Sequence, residues 1–357
     1  GGSVRSGDDG AGPAQSEPRA SAAKLAPLVW VLAAIKLGLH LATAGSYGWH
    51  SDELYYKACA DRLAWGYVDH PPLSMVVLTV WKAMVGDSVL ALRLLPALLN
   101  GVAALGAGLL ARELRGGAAA QTLTAALVGF MPGVIALGGF YSMNPFDVAF
   151  WIATAFTVCR ILDPSADRRW WWVLGGVVGL GLLNKYSMLF CAVGLGVGLL
   201  ISPRRRELWS RQALMGAAIV VVLGLPHLIW QIAGGWPTLE FIRNAHEHKN
   251  VAMPPGVFWS EQLLMAHPAY APFWLIGAFG LLLAPRLRPW RPLGVAFVVV
   301  SVWLTVQHAK PYYMVPAYPM VMAGGAVLVF HWLARWRRVS GTAAVALPVL
   351  VVALGLV

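Results

Sequence analysis

Long apolar runs separated by short connections recur from residue 25 to the end of this chain, and that repetition confines it to a membrane-embedded helical fold. Hydrophobic residues make up 58% of the 357 positions and charged ones only 12%, with a mean hydropathy of +0.64. A soluble domain cannot bury so much apolar surface, so lipid is the main solvent. Taking ~20 apolar residues per span, the runs at 25–44, 88–111, 117–138, 147–161, 170–184, 186–202, 212–233, 270–285, 291–307, 312–333 and 341–357 predict about eleven transmembrane helices in an all-α protein.

The net charge of +11 and pI near 9.9 come from short arginine clusters between these runs. Arg112 with Arg115, Arg160 with Arg168 and Arg169, Arg204 to Arg206 with Arg211, Arg286 with Arg288 and Arg291, and Arg335 with Arg337 and Arg338 occupy every second connection. The positive-inside rule assigns that side to the cytoplasm, and the N-terminus with it. No zinc-finger spacing or RNA-binding aromatic motif accompanies the arginines, which argues against nucleic acid as a partner. Cys59, Cys159 and Cys191 lack metal-ligand spacing, and no structural disulfide is expected. Residues 1–23, rich in Gly, Ser, Ala and Pro, are expected to be a disordered tail or a cloning scar. Residues 24–357 then form one transmembrane domain, whose apolar run from Thr342 to Val357 either ends the protein or marks a truncation.

Segment 72–86 is short and contains Lys82. If it crossed the membrane, every later arginine cluster would fall outside. The charge parity therefore predicts that residues 52–86 stay on the outer face as interfacial helices, with Trp65, Tyr67 and Trp81 at headgroup level. The remaining unusual polar residues then gather in the outer connections. They include Asp52, Glu53, Asp69, His70, Asn144, Asp147, Lys185, His246, His248, Lys249, Glu261, His267, His308 and Lys310.

Four stretches in order carry a resemblance to a known group: SDELYY at 51–56 with YVDHPPL at 67–73, FYSMNPFDVAFW at 140–151, LLNKYSMLF at 182–190, and KPYYMVPAYPM at 310–320. They resemble the C-type (GT-C) membrane glycosyltransferases that take sugars from polyprenyl phosphate, within them the protein O-mannosyltransferases and lipid A aminoarabinose transferases. The resemblance implies a bacterial plasma-membrane enzyme that moves a hexosyl or pentosyl group from a polyprenyl-phosphate donor to a protein, lipid or cell-envelope glycan at the outer face. Where aminoarabinose transferases have Glu-Lys-Pro in the first loop, this chain has Asp69, His70 and Pro71. A histidine can still donate to a phosphate, but its charge depends on pH near neutrality.

An inverting displacement needs one carboxylate base and a positive group on the departing phosphate. The family's first-loop acid points to Asp52 as that base, with Glu53 as orienter or metal ligand. Adjacent helix positions point about 100° apart, so both cannot face one substrate atom. Either acid can instead cap the helix that follows. Asp147, matching the family's second-loop acid, is a further catalytic candidate or a helix N-terminal charge. Lys185 and Lys310 are candidates for the phosphate, together with His70, Tyr312 and Tyr313, although a lysine near a helix end can equally snorkel. Asp69, Asn144, His246, His248 and Glu261 are assigned to substrate or acceptor loops. His246 and His248 lack the third ligand of a metal site. No cofactor is required by the sequence, and a divalent metal is possible. The alternative class is a polytopic transporter or lipid-linked sugar flippase, which would place its ionisable groups near the midplane within internal repeats.

Overall fold

The computed structural model describes residues 24–248 and 252–356, and every regular element among them is helical. The sixteen α-helices run in chain order as α1 Pro27–Thr43, α2 Ser51–Ala60, α3 Leu73–Val85, α4 Val89–Glu113, α5 Ala118–Gly129, α6 Pro132–Leu137, α7 Met143–Leu162 and α8 Trp170–Asn184. They continue as α9 Met188–Leu200, α10 Arg211–Ala233, α11 Pro237–His248, α12 Pro255–Ala266, α13 Ala271–Leu283, α14 Arg291–Val306, α15 Tyr318–Leu333 and α16 Arg337–Gly355. Serines start several of them: the Ser88, Ser142 and Ser210 hydroxyls accept from backbone N–H groups of α4, α7 and α10.

Five helical stretches are long and apolar enough to cross a membrane, or six if the bent pair of α12 and α13 counts as one. Six shorter apolar helices accompany them, among them α1, α3, α5, α8 and α9. Several expected spans are therefore interrupted or shorter than the ~20 residues a full crossing takes. Residues 117–138 divide into α5 and α6 because Pro132 opens a new helix after Met131. The expected span at 270–285 is joined to α12 at an angle of 87°. Segment 72–86 forms α3, whose 13 residues make a helix of about 20 Å, shorter than a ~30 Å hydrocarbon core.

The centre of the bundle is built on α5 and α15. All of Ala120 to Gly129 and Tyr318 to Leu328 is buried, while most of α10 is exposed for lipid. Glycines permit the closest crossing: a Cβ on Gly277 of α13 would run into the Val321 carbonyl of α15, and one on Gly325 into the Phe273 carbonyl. This packing anchors the 3-10 turn Pro311–Ala317 at one end of the bundle, where it meets α7 and α12.

Candidate active site

The site begins with a capping box. His50 accepts the Asp52 N–H through Nδ1 at 3.2 Å, and the Glu53 carboxylate reaches back to the His50 N–H at 2.9 Å. Glu53 faces inward and is fully buried, and Asp52 faces out and is exposed. The two adjacent acids are thus divided by helix geometry. Glu53 receives Arg93 Nε at 2.9 Å and Nη2 at 2.7 Å, and the Tyr141 N–H at 3.2 Å. Burial alone would raise its pKa, but the Arg93 guanidinium and the His50 and Tyr141 amides hold it below the ordinary carboxylate value. Arg93 also donates to the carbonyls of Ala44, Tyr47 and Gly48, so this pair fixes the connection between α1 and α2 to α4. Four donors leave Glu53 poorly placed as a base or metal ligand; it is an anchor behind Asp52.

Asp147 is anchored in the same way. Its carboxylate accepts from Trp151 Nε1 at 3.1 Å and Ser187 Oγ at 2.7 Å, and lies 3.3 Å from Lys185 Nζ. All of this is buried, so the expected second catalytic acid sits inside the wall. Its effect falls on Lys185, which also donates to Asn144 Oδ1 at 2.9 Å and lies under the rings of Tyr312 and Tyr313, 5.4 and 4.9 Å from their centroids. The Ser142 hydroxyl holds Asn144 through its Nδ2, and Asn184 Nδ2 bonds the Met143 carbonyl. The start of α7, the turn between α8 and α9, and the Pro311–Ala317 turn therefore meet around one ammonium group.

The first loop closes over this cage. Tyr55 donates to Asp69 Oδ1 at 2.5 Å, and burial together with the Asp69 charge pushes its hydroxyl well above the usual phenol range. His70, expected on the phosphate, is instead fully buried, stacked on Tyr56 at 5.2 Å and flanked by Tyr55 and Tyr67. Its Nδ1 meets the Pro71 carbonyl at 3.0 Å, and Nε2 lies 3.7 Å from Asp69 Oδ1 with no hydrogen bond. Direct contact with a ligand would require this ring to leave its slot. The Tyr56 hydroxyl accepts the Met143 N–H at 3.4 Å, which sets α2, the helix that carries the exposed Asp52, against the start of α7.

Lys310 precedes the Pro311 turn and is exposed. Glu261 is half-buried on α12, where Gln262 beside it bonds the Pro311 carbonyl at 3.1 Å. The α11 backbone runs through His246 and His248, whose side chains are not among those described, and Lys249 lies outside the described residues. Among the described residues no three His, Cys, Asp or Glu side chains converge as ligands for a metal ion.

One part of the site, His227 with Gln231 and Thr238, had no sequence signal. His227 Nδ1 donates to the Trp65 carbonyl at 2.7 Å, so its Nε2 accepts the Tyr186 hydroxyl at 2.8 Å. Gln231 joins Tyr186 to Thr238. Tyr186 follows Lys185 directly, so this network ties the first loop to the lysine cage from the α10 side.

Known proteins share parts of this sequence and its fold. Residues 69–230 match the dolichyl-phosphate-mannose-protein mannosyltransferase family. The lipid A galacturonosyltransferase RgtD of Rhizobium johnstonii is 29% identical over 187 residues, 51% of this chain and 38% of its own length. The fold superposes on ArnT of Cupriavidus metallidurans bound to undecaprenyl phosphate with a TM-score of 0.70 at 19% identity, covering 88% of this chain and 62% of that one. It superposes on the Archaeoglobus fulgidus oligosaccharyltransferase with a TM-score of 0.62 at 15% identity, covering 92% and 53%. The chain spans less than two thirds of each of these relatives. Over residues 69–230 the sequence is thus similar to this mannosyltransferase family, and over most of its length the fold is that of ArnT and the oligosaccharyltransferase.

Proposed function

We propose that this protein transfers a sugar from a polyprenyl-phosphate donor to an acceptor at the outer membrane face, by an inverting single displacement. The observation that carries the reading is a buried ammonium, Lys185, fixed by Asp147 and Asn144 beneath Tyr312 and Tyr313, with an exposed carboxylate, Asp52, on the helix whose Tyr56 meets the start of α7. The acceptor oxygen attacks the anomeric carbon, its proton passes to Asp52, and the bond from that carbon to the phosphate oxygen breaks. Asp52 suits the base role because its neighbour Glu53 carries the structural load, leaving Asp52 free to face substrate.

Negative charge grows on the phosphate as it departs. Lys185 spends one N–H on Asn144 and is ion-paired with Asp147, so its ammonium keeps donor capacity for a phosphate oxygen beneath Tyr312 and Tyr313. Lys310, one residue before that turn, adds a second cation. Asp147 and Glu53 act as positioning residues in this reading, and His70 acts on Asp69 and not on the phosphate. Asp69 and Glu261 remain the acceptor-side candidates. The outer-face assignment is supported by the arginine clusters at the far ends of α4, α7 and α9.

Incubation of the purified protein with a panel of synthetic polyprenyl-phosphate sugars, including a hexuronic acid, a hexose and a pentose, tests this. Release of polyprenyl phosphate from one donor, dependent on added acceptor and lost in Asp52→Asn, is expected. Energy-dependent movement of intact donor across vesicles without release would favour a flippase instead.

A further inference from the structure

Two cavities meet at the arginine-rich end of the bundle, away from the proposed active site, with Trp171 lining both. One is polar, about 200 Å3, and is rimmed by Arg160, Arg168 and Arg204 and by Asp163, Asp167 and Glu207. The other is apolar, about 240 Å3, and runs among the same ends of α7, α8, α9 and α10. It follows α8 from Trp171 to Val178, about 10 Å of helix. Gly196 of α9 opens into it, and a Cβ there would meet no atom within 4 Å.

A polar pocket that continues into an apolar groove within the membrane has the shape of a lipid site, with the headgroup at the interface and a chain along the helices. The charges identify the headgroup. Three arginines face three carboxylates, so the rim is balanced and offers no net attraction to an anion. Arg204 is paired with Glu207 at 2.9 Å, and Arg160 with Glu113 at 3.2 Å and Asp163 at 3.8 Å. Arg168 has no carboxylate within 4 Å among the described residues, while Asp167 holds only the neighbouring Arg169, at 3.9 Å. Asp163 accepts from the Ser165 N–H and hydroxyl through Oδ1, and Asp167 from the Arg169 N–H through its own Oδ1. Each, on a side chain open to solvent, keeps its second oxygen with no hydrogen bond on it among the described residues. With the unpaired Arg168 guanidinium they complement a headgroup bearing both a phosphate and a primary ammonium.

We propose that this compound cavity binds a phosphoethanolamine-type phospholipid, its phosphate on Arg168, its ammonium between Asp163 and Asp167, and one acyl chain along Gly196. The site is independent of the transfer chemistry assigned above. Native mass spectrometry of the detergent-purified full chain, offered equal amounts of phosphatidylethanolamine, phosphatidylcholine and phosphatidylglycerol, reads it directly. Phosphatidylethanolamine should be retained over each of the others by about threefold or more. Gly196→Phe should abolish this retention by filling the groove, and Arg168→Glu should reduce it severalfold. Arg168 lies on the exposed rim, so that variant keeps the test decisive should Gly196→Phe fail to fold. Equal retention of the three lipids, preference for phosphatidylglycerol, or wild-type retention by both variants would each overturn the assignment.

Discussion

Arg93 and Glu53, 40 residues apart, meet through two parallel hydrogen bonds of 2.9 and 2.7 Å in a wall that exposes neither side chain. Removing one partner strands the other as a buried charge. Arg93→Ala should therefore destabilise the protein by about 3–5 kcal/mol, whereas replacing both residues with apolar ones of similar volume should cost much less. Thermal unfolding of the purified protein in detergent checks both.

The same pair gives a pH dependence. The folded pKa of Glu53 is depressed, so its contribution to stability is complete above the unfolded carboxylate value and is lost as pH falls through the folded one. The midpoint of unfolding should fall on acidification, and the Glu53→Gln variant should lose part of that slope. An identical slope in the variant would remove Glu53 from the account.

Asp147 and Lys185 should couple. Lys185→Met should weaken donor binding, and Asp147→Asn should weaken it less, because Asn144 still holds the ammonium. A double-mutant cycle on donor affinity should give a coupling energy of about 0.5–3 kcal/mol. Strict additivity would mean that Asp147 does not act through Lys185.

How much of this was legible in the sequence differs by element. Apolar runs identified the membrane class, and the motifs at 182–190 and 310–320 singled out Lys185 and Tyr312, which the fold brings into contact. Span number was less readable, because Pro132 divides one run and a sharp bend joins α12 to α13, and neither break changes local hydropathy. The acids at 52 and 53 were given different roles by the resemblance and by helix geometry, but the burial of Glu53 depends on Arg93, far along the chain. Asp147 and Lys185 were both singled out, but their pairing depends on how α7 packs against the α8–α9 turn. His227 lies in unremarkable apolar sequence, and its bond to Tyr186 of the 182–190 motif depends on how α10 packs against the first loop.

That partnership has a kinetic consequence. His227→Phe keeps the stacking on Trp230 but loses both hydrogen bonds, so the loop at 61–72 should become more open to protease. Transfer should slow while helical content stays unchanged. Unaltered cleavage at Arg62 would show that the loop is held by other contacts.

Single-turnover transfer by Asp52→Asn, with donor affinity measured separately, tests the central claim most directly. The substitution keeps shape and most hydrogen-bonding capacity but cannot take the acceptor's proton. Turnover should drop by about two to four orders of magnitude at saturating donor, with donor affinity near wild type. Loss of donor binding with a normal rate at saturation would contradict the account and make Asp52 a donor-binding residue.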